Sequence, residues 1–576
     1  MPGCPGSPPL PRSAAARRAA AKSVTHRRSP LAGSGWLVGL ALTAKSGAHR
    51  RSPLACAGWL VALALSAVCA SAHGQLGDPA APTPRYGGVL RAGMQTDPIG
   101  LDPHTTNSTA TRNLLENVYD TLVAFAADGQ LVPALATAWT VSPDGRAYTF
   151  ELRRGVTFHD GAPLSAADVV FSLLRLKDPA VASPRSEDFA AIETVVASGP
   201  HTVVVRLRSP FGPLLSKLAF SMNAIVPAHL VRRGDELQRV AIGTGPFRLA
   251  DYQPQTRLLL ARYPGYWGRD AAGGPLPYLD GIEFRFFPDP NARTLALRTG
   301  YVDFIEYVPA ADVALLQRQP AVRVVGGVGT NFRSLVLNTR VPPLDDPRVR
   351  KALAYAIDRE AVVAMALFGV GGVPAAGASV PPGSRFALHD SPYRRRDVAR
   401  ARQLLRQAGL PAGFALTLLC TSTYDFLRAP AEVIVANLKE IGVRVRLRVL
   451  DWSLFLPQVV ERRFALALWG ESGLADPDDF LYEPLHSRGG QNVGSFADGE
   501  LDKLLEAGRR TPDDDERRRI YDAAQRRILD AAPHVFLFHS AQHEAMSDSV
   551  RGFVHYFNTS YLGLRATWLQ RPAAGR

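Results

Sequence analysis

The histidines of the sequence are the side chains whose spacing comes closest to that of a metal site. His539 and His543 are four residues apart, which would place both imidazoles on one face if the segment were a helix. The apolar run before them predicts a strand instead. The other candidate metal ligands are His534 and the His159-Asp160 pair. We therefore interpret these histidines as structural or surface residues, and we expect no metal site.

An acidic run and a single cysteine in the second half of the chain could also carry chemistry. Asp476, Asp478 and Asp479 could form an acid pair or bind calcium, but they lack the Gly and Glu spacing of an EF-hand. A Pro-Asp turn that caps a helix explains them more simply. Cys420 follows a predicted strand and has no assignable base, so we expect a buried structural thiol.

Motifs of the common enzyme classes are absent from the sequence. It contains no P-loop, no G-x-S-x-G and no H-E-x-x-H. We therefore predict that the protein is not an enzyme and has no catalytic residue, cofactor or metal.

Composition and charge narrow the class of protein further. The chain has 576 residues, of which 46% are apolar and 20% charged, as in a globular protein of about three domains. Nine of its basic residues lie in residues 1–72, which contain no acid, and the remainder has 57 basic against 52 acidic residues. We see no clustered basic footprint in that remainder, so we do not expect a nucleic-acid partner.

Residues 48–72 follow the three-part plan of a secretory signal. Arg50 and Arg51 form a basic start, an apolar run extends from Leu54 to Val68, and Ala70-Ser71-Ala72 fits a small-residue cleavage site. We therefore predict export to the periplasm with cleavage after Ala72.

Two alternatives to a cleaved signal fit less well. A membrane anchor would need a longer and less alanine-rich apolar run. A lipid anchor at Cys69 is disfavoured because the preceding Ser66-Ala67-Val68 poorly matches the usual lipoprotein box. Residues 26–44 repeat at 49–67, which indicates a local duplication or an overcalled start, so residues 1–47 are excluded from fold reasoning.

The mature chain alternates between strand and helix patterns. After a Pro/Ala linker at 73–84, Ser165 and Asp168 form a capping box that opens a helix. Periodicity predicts further helices over 112–123, 347–368 and 500–530, and a late strand over 535–538. Strands at 415–419, 443–449 and 464–469 alternate with helices near 430–440 and 453–461. This βαβαβ order predicts a mostly parallel sheet, with Arg444, Arg446 and Arg448 on a solvated strand face.

Six sequence blocks occur in a fixed order and cover nearly the whole mature chain. They are LDPH (101–104), YTFELRRGVTFHDGAPLSAADVVFS (148–172), GTGPFRLADY (243–252), YPGYW (263–267), NTRVPPLDDPRVRKALAYAIDRE (338–360) and the stretch Trp469–Phe480. Together they resemble the extracytoplasmic solute-binding proteins of the peptide/nickel ABC-importer family, solute-binding family 5.

This resemblance implies an α/β fold of two lobes with mixed sheets, a hinge, and an extra domain inserted in the first lobe. Lobe I would comprise 85–125, 216–308 and 536–576, the inserted domain 126–215, and lobe II 309–535. The implied function is capture of a peptide or peptide-like solute between the lobes by a monomer, followed by delivery to an ABC permease and its ATPase. The alternatives are a periplasmic sensor or chaperone on the same scaffold, or a binder of a non-peptide solute.

The resemblance also implies which residues contact the ligand. Asn107, Ser108 and Thr109 follow the LDPH turn and either contact ligand or cap the next helix. Phe171 matches an aromatic position of the inserted domain, with core packing as the alternative. Trp469 matches a tryptophan at the cleft, and Tyr424 is a further candidate.

The sequence departs from the dipeptide binders of the family at both charged anchors. Those proteins have an Asp three residues after the cleft tryptophan, where this chain has Ser472. Glu471 or Asp476 could substitute for it. The family's carboxylate-binding Arg is also missing near Cys420, and Leu466 stands where oligopeptide binders have one. A buried charge needs a partner, so we expect a longer peptide held through its backbone, or a less charged solute.

Overall fold

The fold was analysed in a computed structural model that describes residues 83–232, 237–423, 425–472 and 475–570. Its helices are α1 (Thr109–Leu115), α2 (Ala166–Lys177), α3 (Leu214–Leu218), α4 (Ala228–Arg232), α5 (Leu237–Val240), α6 (Pro290–Arg298), α7 (Ala310–Gln317), α8 (Pro347–Ala356), α9 (Arg359–Ala366), α10 (Val398–Gln407), α11 (Asp425–Glu440), α12 (Trp452–Val460), α13 (Pro477–Leu485), α14 (Gly499–Arg510) and α15 (Asp514–Ala531).

The strands alternate with these helices along most of the described chain. They are β1 (Val89–Met94), β2 (Val123–Phe125), β3 (Leu131–Pro133), β4 (Ala136–Val141), β5 (Ala147–Leu152), β6 (Ile192–Gly199), β7 (Thr202–Leu207), β8 (Phe247–Gln253), β9 (Arg257–Arg262), β10 (Gly281–Phe286), β11 (Phe304–Ile305), β12 (Val322–Leu337), β13 (Gly372–Pro374), β14 (Ala415–Thr421), β15 (Arg444–Leu450), β16 (Leu466–Ser472), β17 (His534–Ser547), β18 (Val550–Arg551) and β19 (Trp568–Leu569).

Within the described residues, one mixed sheet of eleven strands runs through most of the molecule. Its order is β15-β14-β16-β12-β17-β11-β1-β10-β9-β8, with β13 paired to β17. The β14–β15 and β14–β16 pairs are parallel, whereas β12 is antiparallel to both β16 and β17. The predicted mixed α/β fold and the βαβαβ unit between 415 and 469 are therefore confirmed. The expectation of a mostly parallel sheet is wrong for the sheet as a whole, because six of its ten strand pairs among the described residues are antiparallel and four are parallel.

A separate antiparallel sheet has the order β4-β5-β7-β6. Helix α2 packs against it, and its predicted capping box is present, with the Ser165 side chain and the Asp168 side chain each bonded to the other's backbone N–H. This sheet therefore supplies one face of a core of its own.

Three large hydrophobic cores occupy the described structure. Core A surrounds β1, β10 and Tyr561, core B lies under the four-stranded sheet around Phe150 and Phe158, and core C surrounds α8, α11 and β14. Each is closely packed around fully buried aromatic or aliphatic side chains. The molecule therefore has three packing centres, of which cores A and C share the long sheet and core B packs against the four-stranded sheet.

The long strands β12 and β17 each pass from one core to another. Val325 in β12 packs against core A, whereas Phe332, seven residues later, lies in core C. In β17 the direction is reversed, because Val535 lies in core C and Met546 in core A. We call this antiparallel pair the crossing strands.

The pairing of the crossing strands is interrupted halfway. Val328 pairs with Ala541 and Phe332 with His539, so three residues of β12 stand opposite the single residue Ser540. A bulge of this kind bends a strand and increases its local twist. The sheet is therefore most deformable at the point where it connects two cores.

Two predicted helices were wrong in extent. The segment 347–368 is two helices rather than one, because Asp358 breaks the first and caps the second with a side-chain bond to the Ala361 N–H. The helix expected over 112–123 ends at Leu115, and the chain continues into β2. No helix in the described residues is long and apolar enough to cross a membrane.

Gly326 tests how closely the crossing strands must approach. A Cβ at this position would lie 2.3 Å from the carbonyl oxygen of Gln542 on β17, so Gly326→Ala must separate the strands. We expect the free energy of unfolding to fall by about 2 kcal/mol or more in urea titrations. Gly199→Ala is the control, because its Cβ would meet no atom within 4 Å. An unchanged stability for Gly326→Ala would contradict the close pairing.

Candidate functional site

A cavity of about 760 Å³ lies beside the bulge of the crossing strands. Val328, Gly329 and Thr330 of β12 form one wall. The other walls come from the β2–β3 hairpin, the loop before α10, and the start of α13. The remaining lining residues are Phe125, Asp128, Gly129, Gln130, Leu131, Ser216, Pro381, Gly383, Ser384, Arg385, Phe386, Ala475, Asp476, Phe480, Asp514 and Phe557.

The lining combines aromatic surface with a small number of polar groups. Phe125 and Phe557 pack edge to face with centroids 5.5 Å apart. Arg385 is exposed and forms an ion pair with the half-exposed Asp514, so the cavity rim carries both charges. A concave apolar surface with a few polar groups is the usual construction of a small-molecule site. The cavity therefore suits an amphipathic solute with hydrogen-bonding groups.

A buried network of ion pairs lies next to the cavity. Lys217 in α3 contacts Asp479 at 2.5 Å and Asp188 at 3.1 Å, and the side chains of Lys217 and Asp479 are only 10% and 6% exposed. The helix α3 packs in core B, whereas α13 packs in core C. This network, which we call the interface ion cluster, therefore joins two cores across the cavity.

Two arginines extend the interface ion cluster into core C. Arg509 donates to both carboxylate oxygens of Asp478 at 2.9 and 2.8 Å, and Arg517 donates to Asp476 at 2.7 Å. The backbone N–H of Gly212 also donates to the Arg509 carbonyl at 2.8 Å. Bidentate pairs of this kind fix geometry as well as charge.

Burial and charge oppose each other in this cluster. Burial disfavours the ammonium of Lys217, but the carboxylates of Asp479 and Asp188 raise its pKa above the usual value. Burial raises the pKa of Asp478, and the bonds from Arg509 partly offset that rise. Each charge is therefore tolerated inside the protein because its partner is present.

The predicted residues Trp469, Glu471 and Ser472 lie in β16, directly beside the crossing strand β12. Ser472 pairs with Asn331 and Glu471 with Phe332, so their backbones adjoin the bulge. The side chains of Glu471 and Ser472, and all of Tyr424, lie outside the described parts of the structure, so their assignment stays a prediction.

Trp469 lies in an aromatic cluster. Its half-buried ring is stacked on Trp452 with centroids 6.1 Å apart and planes 8° from parallel, and it also packs near Phe455. It is not among the residues that line the cavity. A ligand contact at Trp469 stays a prediction, and the observed packing gives the ring a structural role in addition.

None of the residues predicted from the first half of the chain is among those that line this cavity. Asn107 and Thr109 are exposed, while Ser108 caps α1 by accepting from the Thr111 N–H at 3.3 Å. Phe171 is half-buried against core A with the Arg232 guanidinium 5.4 Å from its ring centroid. The capping and core-packing alternatives are therefore present, and ligand contact at these residues remains untested.

Asp476 is the predicted site residue that does line the cavity. It caps α13 by accepting from the Asp478 N–H at 3.0 Å, and the same oxygen accepts from Arg517. The predicted capping role of the acidic run is confirmed. Because Arg517 already neutralises it, Asp476 has less electrostatic attraction to offer a ligand's amino group.

Of the histidines and the cysteine considered in the sequence, His534, His539 and Cys420 are buried, whereas His159 and His543 are half-buried. His534 and His539 lie in β17, 3% exposed, and burial lowers the pKa of each imidazole to about 4. Cys420 is fully buried in core C, and burial raises the pKa of its thiol to about 11. The prediction of structural histidines and an inert thiol fits these surroundings.

Sequence reasoning missed the cavity aromatics and the interface ion cluster. Phe125, Phe480 and Phe557 come from three distant parts of the chain, and Lys217 and Asp479 are 262 residues apart. The one available signal was the acidic run at 476–479, whose three carboxylates exceed what a single helix cap requires.

Comparison with known proteins gives a consistent assignment. Residues 130–492 match the family described as bacterial extracellular solute-binding proteins, family 5 Middle. The glutathione-binding protein GsiB of Escherichia coli (strain K12) is 30% identical over 464 residues, which are 79% of this chain and 89% of that protein.

Solved structures show the same architecture. The periplasmic binding protein AgaA from A. tumefaciens R10, in complex with agropinic acid, is 31% identical with a TM-score of 0.71 and covers 84% of this chain and 99% of its own. DppA from Helicobacter pylori, in complex with the peptide STSA, is 29% identical with a TM-score of 0.70 and the same two coverages.

Replacing Lys217 tests the interface ion cluster. Lys217→Met would leave Asp479 and Asp188 buried without their cation, so we expect the free energy of unfolding to fall by about 3–5 kcal/mol. Lys503→Met is the matched control, because its pair with Glu500 is exposed and worth about 0–1 kcal/mol. Equal effects of the two variants in urea denaturation would refute a special role for Lys217.

The buried histidines give stability a defined dependence on pH. The folded pKa of His539 is about 4 and the unfolded value about 6.5, so the unfolded chain binds the extra proton between these values. This residue's contribution to stability is therefore full above pH 6.5 and is lost as pH falls toward 4. His539→Gln should reduce the slope of stability against pH by up to about 1.4 kcal/mol per unit.

The exposed His389 provides the control for that slope. His389→Gln should leave the pH dependence of the urea midpoint as it is in the parent protein. An unaltered slope in His539→Gln as well would mean that His539 accepts its proton equally in the folded and unfolded states.

Proposed function

The chain belongs to the bacterial extracellular solute-binding proteins, family 5, and from that premise we propose that it is the substrate-binding component of an ABC importer. It captures a peptide or peptide-like solute and delivers it to a membrane permease with its ATPase. It acts by binding, without enzymatic activity. Export by the signal at residues 48–72, with cleavage after Ala72, brings it to the periplasm.

The observation that carries this proposal is the origin of the cavity walls. They come from β12 at its bulge, from the β2–β3 hairpin on the core B side, and from the loop at 381–386 and α13 on the core C side. A solute in this cavity touches both sides at once. Contacts that exist only when the sides are together shift the population toward the closed state.

For the lobes we propose the boundaries that the family resemblance implies. Lobe I comprises 85–125, 216–308 and 536–576, the inserted domain 126–215, and lobe II 309–535. The four-stranded sheet lies within the inserted segment, and most of core C lies within lobe II. The crossing strands serve as the hinge, because their bulge lies between core A and core C.

The ligand class follows from the cavity's chemistry. Its aromatic surface and its backbone groups at 328–330 favour an extended solute with apolar side chains and amide groups. The one arginine in its lining, Arg385, already pairs with Asp514, so no strong anchor for a ligand carboxylate lies in the described wall. GsiB is named for glutathione, and DppA was solved with a tetrapeptide, which supports a peptide-like solute here.

Filling the cavity tests the proposal. Gly383 lines the cavity, and a Cβ there meets nothing within 4 Å, so Gly383→Trp can occupy the space with little strain. We expect the parent protein to show a thermal shift with one or more of glutathione, short peptides and agropinic acid, and Gly383→Trp to lose it while keeping its unliganded melting temperature.

Gly199→Trp is the matched control, because its Cβ also has open space but lies in β6, outside the lining. It should bind the same solute as the parent protein. Binding that survives in Gly383→Trp would place the ligand elsewhere. A response to agropinic acid but to no peptide would overturn the peptide assignment while keeping the solute-binding role.

A further inference from the structure

A row of arginines on β15 has no role in the proposed ligand cavity. Arg444, Arg446 and Arg448 alternate along this strand and all three are exposed. Alternate residues of a strand point to the same face about 7 Å apart. The strand therefore presents a regular line of three positive charges.

These arginines have no counter-ion within the part of the chain that the structure describes. Other surface arginines form ion pairs, such as Arg396 with Glu440 and Arg463 with Glu461, but no ion pair or side-chain hydrogen bond involves this row. Like charges about 7 Å apart repel one another, and water and dissolved ions screen them on an exposed face. The row is therefore available to bind groups of opposite charge.

The arginine row borders a surface groove of about 730 Å³. Arg444 and Arg446 line it together with a largely apolar set of residues, Val341, Pro342, Ala415, Leu416, Thr417, Val445 and Ala465. Arg340, which directly precedes Val341, and Arg462, three residues before Ala465, are also exposed and unpaired among the described residues. We call this feature the basic groove.

The net charge of the mature chain is concentrated in this region. Residues 395–463 contain twelve Lys or Arg and six Asp or Glu, whereas residues 73–576 as a whole contain 57 and 52. The excess of Lys and Arg over Asp and Glu in this segment therefore accounts for the net positive charge of the whole mature chain. The exposure of all three arginines agrees with the solvated strand face that the sequence predicts.

We propose that the basic groove is a docking site for an acidic, extended polypeptide segment of a partner protein. In an extended chain, side chains at alternate positions repeat at the same 7 Å or so as the arginine row, so three carboxylates can face three guanidiniums. Because successive side chains of a strand point to opposite faces, the intervening apolar side chains of a strand added beside β15 would lie next to Val445 and Leu447. β15 is also the terminal strand of the sheet, so its outer edge has room for an added strand.

The free edge of the sheet distinguishes this partner from a lipid surface. A membrane can contact the exposed arginines, but it offers no row of backbone N–H and C=O groups to pair with the terminal strand β15. An added acidic strand uses both features, because its carboxylates meet the arginines and its backbone pairs with that edge. The groove is also lined by residues other than those of the ligand cavity, so solute capture and docking are separable.

The test measures binding of a fluorescent peptide of about ten alternating Glu and Val residues, long enough to span β15. Fluorescence anisotropy at low ionic strength should show saturable binding to the purified protein. Peptides with Gln or Lys in place of Glu should not bind. Salt should weaken the binding of the Glu peptide, because the charges are exposed.

Two sets of variants locate the binding. Arg444→Glu, Arg446→Glu and Arg448→Glu combined should weaken binding by about tenfold or more, and the corresponding change to Gln should have a smaller effect in the same direction. The matched control replaces three other arginines with Glu, so that the total charge changes by the same amount. They are Arg154, Arg298 and Arg318, which are exposed and unpaired in the described structure. It should change affinity by no more than about twofold.

The proposal fails under any of three results. If the Glu peptide does not bind, or if the control triple variant loses as much affinity as the groove variant, then the basic groove is not a specific site for an acidic peptide. Loss of binding to phosphatidylglycerol vesicles in the groove variant, with peptide binding retained, would assign the row to a membrane surface. Circular dichroism melting of each variant ensures that a loss of binding is measured on folded protein.

Discussion

The pairing of the crossing strands is the interaction on which the rest of this structure depends. β12 and β17 tie core A to core C, and their bulge at 329–331 is the place where one continuous sheet can bend. A break in hydrogen bonding inside a long strand pair costs stability unless something else is gained. In this protein the gain is a cavity whose walls come from different hydrophobic cores and meet at β12.

The interface ion cluster and the cavity depend on the same closure. Lys217 of α3 and Asp479 of α13 are buried where these helices meet beside the cavity, and separation of the helices would break this ion pair. Because desolvation offsets much of the Coulomb attraction, such pairs add specificity to the closed arrangement more than strength. A small contribution from a bound solute can therefore decide the balance between open and closed forms.

Signals that act over a few residues were predictable from the sequence. The capping box at Ser165, the cap at Asp476 and the strands of the βαβαβ unit follow from local hydrogen bonding and periodicity, and the resemblance of ordered blocks supplied the fold. The break at Asp358 was missed because its apolar periodicity continues across the cap. The partners of Lys217 were not predictable, because charge pairs between distant segments leave no local pattern.

Small-angle X-ray scattering of the mature protein with and without its solute tests the central claim most directly. The account predicts a smaller radius of gyration on binding, because the solute brings the walls of the cavity together around the crossing strands. Gly383→Trp should show no such response to the same solute. A solute that binds at this cavity, with the scattering profile of the unliganded protein retained, would contradict the claim that closure around the crossing strands forms the site.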